Sequence, residues 1–216
     1  MKLDQPVTVP VNLSAIILAG GQSSRMGQDK ALLPIQGVPL LQQVCRIAQS
    51  CASSVYVVTS WPERYEYLLP KTCQFIHEVP LREGSHTTPL PHGPLVGFAQ
   101  GLAQVKTDWV LLLACDLPWL RAEVLQAWAD QVDSVSQDVA ALLPRHAKGW
   151  EPLCGFYRRS CLPALTDFIK SGGRSFQKWL AQLSVQILPL PEDDQMLFNC
   201  NTPTDLDTVN STNNYI

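Results

Sequence analysis

Residues 109–114, Trp-Val-Leu-Leu-Leu-Ala, form an unbroken apolar run that ends at Cys115 and Asp116. A run of this length without polar alternation predicts a strand buried on both faces, the habit of a parallel sheet. Residues 14–19, Ser-Ala-Ile-Ile-Leu-Ala, repeat the pattern and stop at Gly20 and Gly21. Two such strands need helices above and below them. The chain is therefore confined to α/β architectures in which strands and helices alternate.

The remaining pattern agrees. Helical spacing of apolar residues predicts helices over 39–48, 94–105, 121–132, 162–170 and 175–183. Strands are predicted over 54–59, 72–77, 139–143, 152–157 and 184–190. Alternation of this kind implies βαβ units with right-handed crossovers and a mostly parallel sheet. No repeat or linker divides the chain, so residues 14–209 are read as one domain, with a flexible arm at 1–13 and a frayed tail at 210–216.

A net charge of −3 gives no broad attraction to nucleic acid or to an anionic membrane. A polyanionic substrate must therefore be met by a local cluster of cations and backbone amides. No stretch reaches the ~20 apolar residues that span a bilayer, and the first residues lack the pattern of a secretory signal. Seven cysteines, an odd number with no C-x-x-C pair, are expected to be reduced thiols of a cytoplasmic protein. The four histidines show no metal-ligand spacing.

Four constellations bear on chemistry. The first is residues 18–30, Leu-Ala-Gly-Gly-Gln-Ser-Ser-Arg-Met-Gly-Gln-Asp-Lys. Gly20, Gly21 and Gly27 let the backbone form a concave nest for an anion, and Arg25 and Lys30 add charge beside it. Arg can grip a phosphate through two parallel hydrogen bonds. The segment is neither a Walker A loop nor a dinucleotide fingerprint. The second is Asp116, at the carboxyl end of the strongest predicted strand, where open α/β sheets bind ligands. A lone carboxylate there suits Mg²⁺, which takes its other oxygens from phosphate and water; the plain alternative is a helix cap.

The third constellation is residues 198–206. Thr202 or Asn201 can cap a helix starting at Pro203, or Asn199 and Asn201 can offer amide oxygens to a metal or ligand. The fourth, residues 150–157, is an acidic and aromatic patch that fits either a pocket wall or an ordinary core strand. Residues 78–93 form a long irregular segment, suited to a closing loop or to a tolerated insertion.

Taken together, these segments resemble the molybdenum cofactor guanylyltransferase family. Its opening Leu-Ala-Gly-Gly-x-x-x-Arg-Met-Gly-x-Asp-Lys is matched at 18–30, and its Gly-Pro-Leu-x-Gly at 93–97. Its Cys-Asp-x-Pro is matched at 115–118, and its Phe-x-Asn-x-Asn-Thr-Pro at 198–203. The resemblance implies a Rossmann-like three-layer sandwich of the nucleotide-diphospho-sugar transferase type. It implies transfer of GMP from GTP to molybdopterin-bound molybdenum, with release of pyrophosphate. By the family pattern Leu18, Ala19, Gly20 and Lys30 bind GTP, and Asp116 binds both GTP and Mg²⁺. Arg25 meets the triphosphate, and Asn201 stands near the metal. The implied partners are GTP, molybdopterin, and molybdoenzymes or other cofactor-assembly proteins.

The chain departs from the pattern at three places. Thr59-Ser60 replaces an asparagine after the second strand, Glu78 aligns with a family aspartate that binds nucleotide, and the stretch from Glu78 to Gly93 is longer. Other readings remain at this level: a cytidylyltransferase for the same pterin, a sugar-phosphate or cobinamide-phosphate nucleotidyltransferase, or a non-catalytic nucleotide-binding regulator.

Overall fold

The structure, a computed structural model, describes residues 13–20, 28–81, 93–191 and 194–212. Arg25, Gly21, Gly27, residues 82–92 of the long segment, most of the expected arm and residues 213–216 lie outside the described residues. In chain order the elements are β1 (Leu13–Leu18), a short hairpin of β2 (Pro34–Ile35) and β3 (Val38–Pro39), α1 (Leu40–Cys51), β4 (Ser54–Thr59) and β5 (Cys73–His77). They continue with α2 (Pro94–Gln104), β6 (Trp109–Ala114), α3 (Ala122–Ala129), β7 (Ala141–His146), β8 (Gly149–Trp150) and β9 (Cys154–Arg158). The last four are α4 (Leu162–Lys170), α5 (Phe176–Leu180), β10 (Val185–Leu188) and α6 (Pro203–Thr212).

The main sheet runs β10-β7-β9-β6-β1-β4-β5, with β8 paired to β7. The two apolar runs lie side by side at its centre: β1 pairs parallel with β6, Leu18 opposite Ala114, and with β4 on its other side. All pairs in this path are parallel except those of β9, which runs antiparallel to both β6 and β7. The reason lies in the connection. Only residues 147–153 join β7 to β9, too few for the dozen or more that a parallel crossover needs.

Successive residues of the central strands face opposite layers. Ala15, Ile17, Leu111 and Leu113 pack with Val44, Ala48 and Leu125 of α1 and α3. Ile16, Val110 and Leu112 pack with Phe98, Leu102, Leu165 and Trp179 of α2, α4 and α5. This is the three-layer sandwich expected from the sequence. Boundaries shift at several elements: β1 starts at Leu13, α1 runs on to Cys51 and β7 to His146, α3 and α5 stop earlier, at Ala129 and Leu180, and α6 runs through Thr212. The β2–β3 hairpin was not expected. Its turn uses positive φ at Gln36 (53°) and Gly37 (78°), a two-residue hairpin geometry that glycine favours.

Gly101 sets the height of α2 above the sheet. A Cβ placed there would stand 3.0 Å from a methyl of Ile16 and from one of Val58. Helix α2 therefore lies close against β1 and β4, with its first turn over their carboxyl ends. Gly101→Val is expected to overpack this contact and lower stability by about 1–3 kcal/mol, measured as the shift in a urea unfolding midpoint. A variant as stable as the parent would mean the contact relaxes freely.

Candidate functional site

The described residues frame a cleft of about 500 Å³ at the carboxyl edge of the sheet. Leu18, Ala19 and Gly20 line it from the end of β1, and Ala114, Cys115 and Asp116 from the end of β6. The backbone joins these ends, since Cys115 N donates to Leu18 O at 3.2 Å and Ala19 N to Val58 O at 2.9 Å. Gly93, Pro94 and Gly97 bring the first turn of α2 to the same space, and Asn199 and Asn201 enter from the segment before α6.

Lys30 is the cation at the centre of the described site. Its ammonium donates to Asn201 Oδ1 at 2.5 Å and lies 3.7 Å from Asp116 Oδ2. Burial pushes the Asp116 carboxyl above its ordinary value, and Lys30 opposes that rise. The other carboxylate oxygen, Oδ1, is buried and has no hydrogen-bond partner. Asp116 does not cap α3, whose N-cap is Arg121. Beside it the Cys115 thiol is pushed up by burial and by the Asp116 charge, so it stays neutral and is unsuited to act as a nucleophile.

The segment before α6 separates its two readings. Thr202 is the cap: its Oγ1 accepts from Asp205 N at 3.2 Å, while Asp205 Oδ2 accepts from Asn201 N and Thr202 N, both at 2.8 Å. This reciprocal arrangement is a capping box with aspartate in the third helical position. The Asn201 side chain is thereby left for the cleft, where its oxygen holds Lys30. Cys200 N donates to Asp116 O at 2.9 Å, tying this segment to the end of β6.

Glu78 lies on the opposite wall, 7% exposed, with its backbone N on Thr59 O at 2.8 Å. Its carboxylate occupies the space two glycines leave open. A Cβ on Gly97 would stand 2.8 Å from Glu78 Oε1, and one on Gly20 closer still to Oε2. Gly97 of the Gly-Pro-Leu-x-Gly motif thus makes room for a buried carboxylate. Thr59 is fully buried and its hydroxyl accepts from Trp61 N at 3.2 Å, so it serves the turn after β4 instead of facing the cleft.

The sequence did not single out Tyr65. Its hydroxyl donates to Asp29 Oδ2 at 2.7 Å, and Arg64 approaches the same oxygen at 3.8 Å. Asp29 Oδ1 in turn accepts from Ala31 N at 3.1 Å, capping the short 3-10 turn that begins at Lys30. Tyr65 is 1% exposed and packed in the core. Asp29 and Tyr65 therefore fix the backbone that carries Lys30 to the turn after β4. No local pattern signals this pair, because its members are 36 residues apart.

A sequence model of the MobA-like NTP transferase domain matches residues 15–187. A probable molybdenum cofactor guanylyltransferase from Trichormus variabilis is 65% identical over 198 residues, which cover 92% of this chain and 90% of that protein. One from Synechococcus elongatus is 48% identical over 195 residues, covering 90% of this chain and 96% of the relative. Among solved structures, the molybdopterin-guanine dinucleotide biosynthesis protein A of Archaeoglobus fulgidus aligns with a TM-score of 0.74 at 23% identity. The match covers 94% of this chain and 100% of that one, and speaks to the fold.

Two outcomes follow from the geometry. Tyr65→Phe keeps the ring and removes one hydrogen bond, so its stability cost is expected to be about 1 kcal/mol. If Tyr65 acts through Asp29 on Lys30, its effect on nucleotide binding should vanish in a Lys30→Ala background, a non-additivity that a double-mutant cycle reads directly. Equal effects in both backgrounds would reduce Tyr65 to a core residue. The second outcome concerns Asp116, whose ordinary carboxyl value is 3.8. Between that value and the raised folded one, the native state holds a proton that the unfolded chain has lost. Stability therefore falls as pH rises through this window. Asp116→Asn should be at least as stable as the parent at neutral pH, with the advantage fading below the ordinary value. Thermal melts across pH test the sign.

Proposed function

The chain belongs to the molybdenum cofactor guanylyltransferase family of MobA-like NTP transferases, and from that premise we propose that it transfers GMP from GTP to molybdopterin-bound molybdenum, releasing pyrophosphate. The observation that carries the reading is the Lys30–Asp116–Asn201 cluster at the ends of β1 and β6, with one buried Asp116 oxygen left unpartnered. Leu18, Ala19 and Gly20 approach the nucleotide through their backbone, Glu78 bounds the nucleoside side, and Lys30 with Arg25 meets the triphosphate.

The donor set fits Mg²⁺. Among the described residues no group of three or more His, Cys, Asp or Glu could cage a metal. Mg²⁺ needs no such cage, since one or two carboxylates plus phosphate oxygens and water suffice. Asp116 would hold it through the unpartnered Oδ1, with Asn201 beside it. Bound there, Mg²⁺ would neutralise charge on the phosphate oxygens of GTP.

The terminal phosphate of molybdopterin attacks the α-phosphorus of GTP in line, and the bond to the pyrophosphate oxygen breaks. The nucleophile is already an anion, so no general base is required. The protein contributes position and charge: Lys30, held by Asn201 and by the Asp29 turn, stabilises negative charge gathering on pyrophosphate. Intact Lys30 and Asp116 at one site favour catalysis over a non-catalytic nucleotide-binding regulator, which could lose the metal carboxylate without penalty. All seven cysteines are free, which fits work in the cytoplasm.

The decisive experiment is pyrophosphate release by purified protein with molybdopterin and either GTP or CTP at equal subsaturating concentration. GTP is expected to be preferred at least tenfold, because a site built from paired donors and acceptors rejects a partner that leaves them unpaired. Equal rates would move the assignment to a cytidylyltransferase. In the same assay Asp116→Asn should lose most of its Mg²⁺-dependent turnover, about a hundredfold or more.

A further inference from the structure

Lys30 carries two assignments that compete. Its ammonium donates to Asn201 Oδ1 at 2.5 Å and lies 3.7 Å from Asp116 Oδ2. The transfer reading also gives it the triphosphate, and gives Asp116 the metal. A divalent ion held through Asp116 Oδ1 would share one carboxylate with that ammonium. Both side chains are largely buried, and like charges repel more strongly there than in water.

Asn201 sharpens the conflict. Its backbone N donates to Asp205 Oδ2 at 2.8 Å, its Nδ2 donates to Asn199 O at 3.3 Å, and the preceding Cys200 N is tied to Asp116 O at 2.9 Å. The amide is thus fixed in orientation, with its oxygen on the ammonium. While Lys30 stays there, neither Asp116 nor Asn201 offers a metal an oxygen clear of positive charge. The backbone at Lys30 is fixed too, because Asp29 Oδ1 accepts from Ala31 N at 3.1 Å and caps the turn. Only the Lys30 side chain can give way. A lysine suits that role, since its flexible four-carbon stem lets a point charge change partners on a fixed backbone. A triphosphate arriving beside Asp116 supplies such a partner, and its own negative charge offsets the repulsion between ammonium and metal.

We propose that Lys30 is an electrostatic gate on the metal site: it opposes a bare divalent cation at Asp116 and yields that carboxylate when it turns to the triphosphate. Mg²⁺ then enters together with the nucleotide and not before it. By linkage, triphosphate and metal each strengthen the binding of the other through this one side chain. The proposal rests on the guanylyl-transfer reading for its triphosphate half, whereas its metal half stands on the Lys30–Asp116–Asn201 geometry alone.

The test uses the full chain and two probes measured apart: Mn²⁺ without nucleotide, followed by electron paramagnetic resonance, and GTP with a chelator present, followed by titration calorimetry. Lys30→Met keeps the bulk of the stem and removes the charge. It is expected to bind bare Mn²⁺ about tenfold or more tightly than the parent, the size a unit charge exerts on a divalent ion a few ångström away even with water-like screening. It is expected to bind GTP about tenfold or more weakly, through the lost charge-assisted hydrogen bonds. Opposite signs are the signature, since a variant that is merely damaged weakens both. Lys30→Arg keeps the charge and should not tighten Mn²⁺, and adding Asp116→Asn to Lys30→Met should abolish the tightening. Mn²⁺ affinity is read on the plateau where it no longer rises with pH, which keeps protonation of Asp116 out of the comparison. Mn²⁺ binding by Lys30→Met that is absent, unchanged or weaker would overturn the gate, as would tightening by Lys30→Arg, tightening that survives Asp116→Asn, or undiminished GTP binding. If Mn²⁺ behaves as expected while the parent itself binds no GTP, the gate on the metal stands and the transfer reading fails.

Discussion

Leu18 and Ala114 stand opposite each other in a parallel ladder, and almost every contact in the cleft depends on that register. Because the strands are buried on both faces, their alternating side chains are committed to the two helical layers. Polar chemistry can then begin only where the strands stop. They stop together, so the glycine turn after β1 and the carboxylate after β6 share one edge. A slip of one residue would reverse every apolar side chain of β1 and move the turn away from Asp116.

The edge thus created is costly to occupy. Asp116 is buried with one oxygen unpartnered, and its charge is opposed by desolvation more than Lys30 relieves it. Glu78 is buried as well, in space that exists because positions 20 and 97 carry no side chain. Two carboxylates are thus built into opposite walls of a cleft intended for an anion. Lys30 faces Asp116, and its own backbone is pinned by Asp29 and Tyr65.

Much of this was legible in the sequence, and the limits have physical causes. The bounds of β4, β6 and α4 could be read directly, because each is a dense apolar pattern with clear breaks. Lys30, Asp116 and Asn201 were identified from motifs, and the fold brings all three within one hydrogen-bonded cluster. The orientation of β9 was not visible, since direction depends on the length of its connection and not on its composition. The β2–β3 hairpin was overlooked although a glycine at position 37 hinted at it. Tyr65 could not have been found by periodicity, because its hydroxyl answers a residue brought near only by the finished sheet.

The ties between the ends of the strands and the segment before α6 have a further consequence. Cys200 N bonds to Asp116 O, and Asn201 holds Lys30 in front of the same carboxylate. Lys30 and Asp116 leave the ribosome long before Asn201 does. A nascent chain can therefore assemble its central strands while the cleft still lacks one wall, and Lys30 has no amide oxygen to fix it. The cleft is thus closed by a segment that the chain supplies last, after every strand of the sheet has been made.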